Sequence, residues 1–253
     1  MQTKGVDVVV LLECAVPVAE VVDKIREITG STFYYVPARG KEKGIHLLTR
    51  LPLSFAQVTE EGPSSRYRFY SLKSPAGIEV LLAIVHFRSK LHTTPASQAQ
   101  ECGVLAHEIK SVERLVGHNN TMLVGDLNMN PFEEGVVSAA GLNATMSRQR
   151  ASKELRTVQG QRYRFFYNPM WRHFGDGRGA PPGTYHYDGS EHITYFWNIF
   201  DQVLVRPSLI QYLDVDTIQI VDSVGSSSLL ASDGTPDASI GSDHLPLMFS
   251  MRL

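Results

Sequence analysis

The sequence predicts a mixed α/β fold, and three stretches carry that prediction. Val8–Leu12 is an unbroken apolar run rich in Val, the pattern of a strand buried on both faces, and a helical pattern follows it closely. Between residues 33 and 85 several β-rich segments alternate with Gly, Pro and Ser turns that suit antiparallel hairpins. A long amphipathic helix over 96–116 then separates two further strand-like runs, the arrangement that lays a helix flat on a sheet.

The elements follow in order. Pro17 opens the first helix, Val18, Val21, Val22, Ile25 and Ile28 form its apolar stripe, and Gly30 closes it. Strands are expected at 33–36, 45–50, 53–58, 67–71 and 78–85. Ala99, Cys102, Leu105, Ala106, Ile109, Val112, Leu115 and Val116 give the second helix its period, which Gly117 ends. A strand at 121–124 and a short helix at 131–137 come next. Residues 147–192 read as a long irregular stretch rich in aromatics, Gly and Pro, and such a length without clear elements suits functional loops. Apolar character resumes over 196–205, residues 224–241 read as a Gly/Ser/Asp loop, and 245–253 as a closing strand.

The chain has 253 residues, 43% of them apolar and 20% charged, enough to build one sizeable core and no signature of disorder. One domain over residues 1–253 is expected, with no linker-like segment. No apolar run approaches the roughly 20 residues needed to cross a bilayer. Met1 to Asp7 lacks the basic and apolar regions of a signal peptide. Cys14 and Cys102 have no metal-ligand spacing and read as reduced thiols, so a cytoplasmic location is expected. A net charge of −2 gives the whole chain no polyanion footprint, yet 147–178 holds eight basic residues (Arg148, Arg150, Lys153, Arg156, Arg162, Arg164, Arg172, Arg178) against Glu154 and Asp176. That stretch suits a phosphate-rich ligand as well as it suits a solvated loop.

Five strand-like runs have an ionisable residue at one end: Glu13, His86 and Asp126 trail theirs, while Asp201 and His244 lead theirs. Each alone is an ordinary turn or strand-end residue. Two polar turns stand out among them, Gly125-Asp126-Leu127-Asn128 and Ser242-Asp243-His244, and they would meet at one edge if their strands lay antiparallel in a single sheet. Carboxylates, an amide and imidazoles in one place are the groups that hold a divalent cation, activate water and steady a phosphate.

The ordered set of Val8 to Glu13, Ile84-Val85-His86 with Ser89, Gly125-Asp126-Leu127-Asn128, Trp197 four residues before Asp201, and Ser242-Asp243-His244-Leu245-Pro246 resembles the motifs of the endonuclease/exonuclease/phosphatase family. That family includes deoxyribonuclease I, abasic-site endonucleases, inositol polyphosphate 5-phosphatases and neutral sphingomyelinases. The resemblance covers residues 7–253 and is specific for the superfamily rather than for a substrate. It implies an α/β (α+β) fold of two packed mixed β-sheets flanked by helices, a four-layer sandwich of deoxyribonuclease I type. It also implies Mg²⁺ as cofactor, with Mn²⁺ as the alternative.

By the same resemblance Glu13 binds the metal, with Asp243 as a second carboxylate near it. Asp126 orients or deprotonates the attacking water, Asn128 and His86 hydrogen-bond the phosphate, and Asp201 fixes the tautomer of His244, which serves as base or phosphate stabiliser. Arg88, Asn168, Trp171 and Trp197 are the expected substrate contacts. Family members begin with a central strand carrying an Asn ligand that has no counterpart before Val8, and an upstream start is expected on that ground. His86 departs from the abasic-site repair branch. The expected activity is a Mg²⁺-dependent phosphodiesterase, foremost a nuclease acting on nucleic acid. The alternatives are a phosphomonoesterase or phospholipase acting on inositol phosphates or lipid headgroups, and a non-catalytic binding domain of the same fold. The sequence does not predict a protein partner.

Overall fold

A computed structural model describes residues 5–38, 44–60, 64–175 and 181–253. Its strands are β1 (Val8–Leu12), β2 (Tyr34–Tyr35), β3 (Ile45–Thr49), β4 (Ala56–Glu60), β5 (Tyr67–Lys73), β6 (Glu79–His86), β7 (Thr121–Asp126), β8 (Ala144–Thr145), β9 (Leu155–Val158), β10 (Gln161–Arg164), β11 (Phe166–Tyr167), β12 (Tyr185–His186), β13 (Trp197–Asn198), β14 (Asp201–Val205), β15 (Leu213–Ile220), β16 (Ser223–Val224), β17 (Ser227–Ser228) and β18 (Leu247–Met251). The helices are α1 (Val18–Thr29), α2 (Pro95–Val116), α3 (Glu134–Val137) and α4 (Arg148–Ala151). Among the described residues no helix is long and apolar enough to cross a membrane. Arg178 and Asp176 of the basic stretch, and residues 1–4, lie outside the described residues.

A seven-stranded mixed sheet in the order β4-β5-β6-β7-β14-β11-β8 carries the architecture. Strand β6 shows why it sits at the centre. Val80, Leu82 and Ile84 face one core, shared with Ile45 and Leu47 of β3, Leu213 and Ile218 of β15, and the half-buried Val8, Val10, Leu247 and Phe249. Leu81, Ala83 and Val85 face the other core, against Cys102, Leu105, Ile109 and Val112 of α2. The period-2 side-chain alternation of one apolar strand thus fills both layers. Helix α2 is N-capped by Thr94, which accepts from the Ser97 N–H, and ends on Gly117 in the left-handed conformation. The result is the α/β class with mixed sheets that the sequence predicts.

Four expectations are corrected. Strand β1 is half-buried along its length rather than enclosed, because it pairs only with β3 in a sheet ordered β1-β3-β2. Strand β18 pairs with β15 in a separate two-stranded sheet, so the two polar turns do not flank strands of one sheet. They meet because the β15–β18 pair packs on the face of the large sheet, where His244 reaches Asp201 beside Asp126. The strand expected from residue 53 begins at Ala56, after a 3-10 turn over Leu53–Phe55 that Pro52 precedes. Within 147–192 the structure has a hairpin of β9 and β10, turned by Gln159 (φ 48°) and Gly160 (φ 79°). Phe165, Phe166 and Tyr167 are core residues there, so this part of the aromatic stretch serves packing.

Gly125 fixes the register of the site-bearing strands. It has φ +125°, and a Cβ there would lie 2.1 Å from the Val85 carbonyl oxygen. Gly125→Ala is therefore expected to cost about 3 kcal/mol through strain and overpacking. Chemical denaturation checks this, and a variant within about 0.5 kcal/mol of wild type, the scale of an ordinary surface change, would contradict it.

Beneath the opposite end of β14, Arg206 donates to Glu113 of α2 at 2.8 Å and to the carbonyls of Arg164 and Phe165, with its guanidinium 3.9 Å from the Phe166 ring centroid. Burial lowers the pKa of Arg206 and Glu113 offsets this. Glu113→Ala leaves that cation buried without its carboxylate, so a loss of about 3–5 kcal/mol in unfolding free energy is expected. The Glu113→Met/Arg206→Met pair is expected to recover most of it in the same denaturation experiment.

Candidate active site

The site is a consequence of strand register. His86 ends β6 opposite Asp126 at the end of the parallel β7, and Asp126 lies opposite Asp201 at the start of the antiparallel β14. Three adjacent strands therefore present an imidazole and two carboxylates in one row at one sheet edge. The turn after β7 is held by Asp126 itself. One carboxylate oxygen accepts the Asn128 N–H at 2.7 Å, the other accepts the Asn128 side-chain amide, and that amide also donates to the Phe87 carbonyl at 3.0 Å. Asn128 has φ 48° and Glu13 has φ 53°, left-handed conformations that bulky L residues seldom adopt. Both sit at the centre of the site, where backbone strain is commonly retained for function.

Glu13 arrives from the end of β1, its carboxylate 3.0 Å from His86 Nε2, and the Asp126 carboxylate is 4.0 Å from the same nitrogen. From the other side His244 Nδ1 lies 2.7 Å from Asp201 Oδ2, which leaves Nε2 as the free ring atom. The His244 ring packs 4.8 Å from Tyr185, which stacks on Phe200 at 5.3 Å. Asp201 is held in turn by Thr184, whose buried hydroxyl accepts the N–H groups of Phe200 and Asp201.

Electrostatics sets these groups apart. Burial pushes the Asp126 carboxyl up to about 8, with the Asp201 charge adding to it. Burial acts against a charged His244, yet the Asp201 hydrogen bond and the charges of Asp201, Asp126 and Asp243 push it up to about 9. His86 is lowered by burial, which the Glu13 charge only partly offsets, and further by Arg66 and His244. The row thus holds a carboxyl that exchanges protons near neutral pH, a charged imidazole and a neutral one, titrating as a set.

The structure brings together Glu13, His86, Asp126, Asn128, Asp201 and His244. Asp243 is exposed at the His244 end, its carboxylate beside the Ser242 hydroxyl. Two expectations change. Both N–H groups of the Asn128 amide are engaged by Asp126 and Phe87, so it positions Asp126 rather than reaching outward. Asn168 is fully buried, donating to Gln202 and accepting from the Met170 N–H, so it serves the scaffold rather than a substrate. Trp171 is half-buried in an aromatic cluster with Phe132 and Phe174, and Trp197 packs edge-on to His186 at 5.1 Å. Arg88 is exposed beside the site.

Several positioning residues escaped the sequence reading. Asn130 joins Asn198 and the Ile199 N–H, and Gln202 joins Asn168, Met129 and Ile199, a buried amide network under the site. Gln98 donates to the carbonyls of Asn128 and Arg88. Its signal was legible: it is a polar residue one turn before Cys102 on the apolar face of α2. Thr184 and Asn130 lie outside the strands and helices, and Asn198 and Gln202 lie in short strands, where none of them carries such a mark.

No family model matches the chain, and no curated protein matches it. Solved structures do. The chain is similar to the catalytic domain of human Nocturnin with bound sulfate anion at 12% identity, over 96% of this chain and 81% of that one, with a TM-score of 0.51. A D. rerio TDP2 humanized by 14 mutations is similar at 15% identity, over 98% and 86% of the two chains, with a TM-score of 0.52. An AP endonuclease from Archaeoglobus fulgidus is similar at 13% identity, over 98% and 89%, with a TM-score of 0.50. These likenesses show the fold. It is the α/β fold that these proteins share, the class that the motif resemblance implied.

Proposed function

We propose that this chain is a divalent-metal-dependent phosphodiesterase, and specifically a nuclease, that cleaves by in-line attack of water on phosphorus. The observation that carries the reading is the row His86–Asp126–Asp201 set by strand register, with His244 hydrogen-bonded to its last member. An AP endonuclease, TDP2 and the Nocturnin catalytic domain, which share this fold, support it as analogues, since fold alone does not assign chemistry.

Asp126 takes the proton of the attacking water, for which a pKa near the working pH is suited. Asn128 fixes its carboxylate. His244, kept charged by Asp201, donates from Nε2 to the phosphate as negative charge builds, and His86 stands on the other flank of Asp126. The donor set fits Mg²⁺, or Mn²⁺ in its place. Glu13 and Asp126 are carboxylates gathered around one imidazole, and Asp126 is pushed up partly by its acidic neighbours. Glu13 would hold the cation, with Asp243 as the second carboxylate assigned to it. When bound, it supplies positive charge that neutralises the phosphate and favours ionised Asp126. The free thiols Cys14 and Cys102 suit a reducing cytoplasm.

The test is hydrolysis of single-stranded DNA, duplex DNA and RNA by the purified chain with Mg²⁺, beside a panel of inositol phosphates and phospholipid headgroups. Nucleic acid cleavage abolished by a chelator is the expected result. Phosphate release from the small esters alone would replace the nuclease reading with a phosphomonoesterase, and inactivity on every substrate together with tight oligonucleotide binding would replace it with a binding domain.

A further inference from the structure

Asp201 and His244 come from two different sheets: Asp201 starts β14 of the large sheet, while His244 precedes β18, which pairs with β15. One hydrogen bond, between Nδ1 and Asp201 Oδ2 at 2.7 Å, joins the two side chains. A single bond fixes one ring atom and leaves the ring plane open, since rotation about the Cβ–Cγ bond of histidine is soft. That rotation would carry Nδ1 off Asp201 and turn Nε2 away from a substrate. A second contact is needed to hold the plane.

The tripeptide Gly183-Thr184-Tyr185 supplies it. A Cβ on Gly183 would lie 2.5 Å from the Asn198 carbonyl oxygen, so glycine lets the chain run close along Asn198. The Thr184 N–H donates to that carbonyl at 2.8 Å, and Tyr185 pairs with Asn198 in β12–β13. From this position Thr184 reaches both sheets: its hydroxyl accepts the Asp201 N–H at 3.1 Å, and its carbonyl accepts the Leu245 N–H at 2.8 Å. Tyr185 bridges the His244 backbone and lays its ring 4.8 Å from the imidazole, tilted by 38°. Phe200 stacks on Tyr185 at 5.3 Å and 20°. Phe200 is buried and tied down at both backbone groups, its N–H donating to the Thr184 hydroxyl and its carbonyl accepting the Leu127 N–H at 2.9 Å. Tyr185 is half-buried and joins neither hydrophobic core, so its ring is not there to fill the interior. Burial, and after it the Asp243 charge, raise the pKa of the phenol, which therefore stays neutral and offers an electron-rich face to a charged imidazole.

We infer that Tyr185 is a positioning residue that acts through His244: its ring, backed by Phe200, fixes the imidazole plane so that Nδ1 stays on Asp201 and Nε2 faces the reacting phosphate. Its effect on turnover rests on the phosphodiesterase reading above, and its hold on the ring does not.

The full chain is assayed with Mg²⁺ on bis(p-nitrophenyl) phosphate. Tyr185→Leu, which keeps an apolar side chain and removes the ring, is expected to lower kcat about 10- to 100-fold with KM changed by less than about threefold, the loss that a misplaced reacting group gives. Tyr185→Phe keeps the ring face and is expected to hold kcat within about threefold of wild type. In a His244→Asn background Tyr185→Leu is expected to cost less than about twofold more, because residues that act as a unit are not additive. In parallel, NMR of the metal-free chain at one fixed pH follows the His244 Nδ1–H proton. A downfield resonance is expected in wild type and in Tyr185→Phe, broadened away by solvent exchange in Tyr185→Leu. Tyr185→Met takes the place of Tyr185→Leu if the latter does not fold. Wild-type kcat in Tyr185→Leu, a full further loss in the His244→Asn background, or an Nδ1–H resonance that Tyr185→Leu leaves unchanged would each overturn the role and reduce Tyr185 to packing. If the wild-type chain hydrolyses no phosphoester, the phosphodiesterase reading falls, while the NMR still decides whether Tyr185 holds the ring.

Discussion

Asp126→Asn is expected to lower kcat by about three to four orders of magnitude while making the metal-free protein more stable at alkaline pH. The first effect follows from removal of the proton acceptor, a group whose contribution is about 10²–10⁴-fold, together with loss of a carboxylate that steers water. The second has the opposite sign for a definite reason. The folded-state pKa of Asp126 is raised from 3.8 to about 8, so the folded chain keeps a proton that the unfolded chain has lost. Wild-type stability therefore declines as pH rises from about 4 through about 8, by an amount on the order of a few kcal/mol. Asn carries no charge to bury and escapes that decline. Denaturation in chelator at pH 5 and pH 9 checks it: the variant gains on wild type as pH rises. Equal pH dependence in the two proteins would show that Asp126 is not the buried titrating group.

Asp201→Asn is the second large change, expected to cost about two to four orders of magnitude in kcat because the His244 ring loses both its orienting acceptor and the charge that keeps it protonated. His244 is raised from 6.5 to about 9, chiefly by Asp201 acting against burial. Without that charge the opposing effect of burial weighs more heavily and the pKa of the ring falls. The alkaline limb of the pH–rate profile is expected to move to lower pH, and the His244 imidazole resonance to titrate with it. Stability responds as well. A raised imidazole pKa contributes stabilisation that is complete below pH 6.5 and lost as pH rises through about 9, on the order of 2–3 kcal/mol in wild type and absent from the variant. His244 titrating at the same pH in both proteins would contradict the pairing.

Most of the site was legible because its residues interrupt apolar runs. Glu13, His86, Asp126 and Asp201 each stand where a strand pattern stops or starts, and strand register then aligns three of them without further help. The supporting shell was not legible. Thr184, Asn130, Asn198 and Gln202 are single amides or hydroxyls whose role depends on partners far along the chain, such as the 69-residue separation of Asn130 and Ile199. Elements were missed for two different reasons. Strand β15 alternates imperfectly because its register shifts between Asp214 and Gln219, which breaks the period-2 signal. The β9–β10 hairpin is exposed over most of its length, so it needs no apolar face and shows none. The converse error occurred at β1, whose unbroken Val/Leu run promised enclosure on both faces, while its pairing with β3 alone leaves it half-buried.

The central claim is that the edge built by His86, Asp126, Asp201 and His244 directs water onto a phosphodiester. Cleavage of a single-stranded oligonucleotide in ¹⁸O-water with Mg²⁺, followed by mass spectrometry of the new phosphate terminus, tests it most directly. One ¹⁸O atom per newly formed phosphomonoester from the wild-type chain, with no product from Asp126→Asn, is the predicted result. Unlabelled termini, or equal labelling and yield from Asp126→Asn, would contradict it.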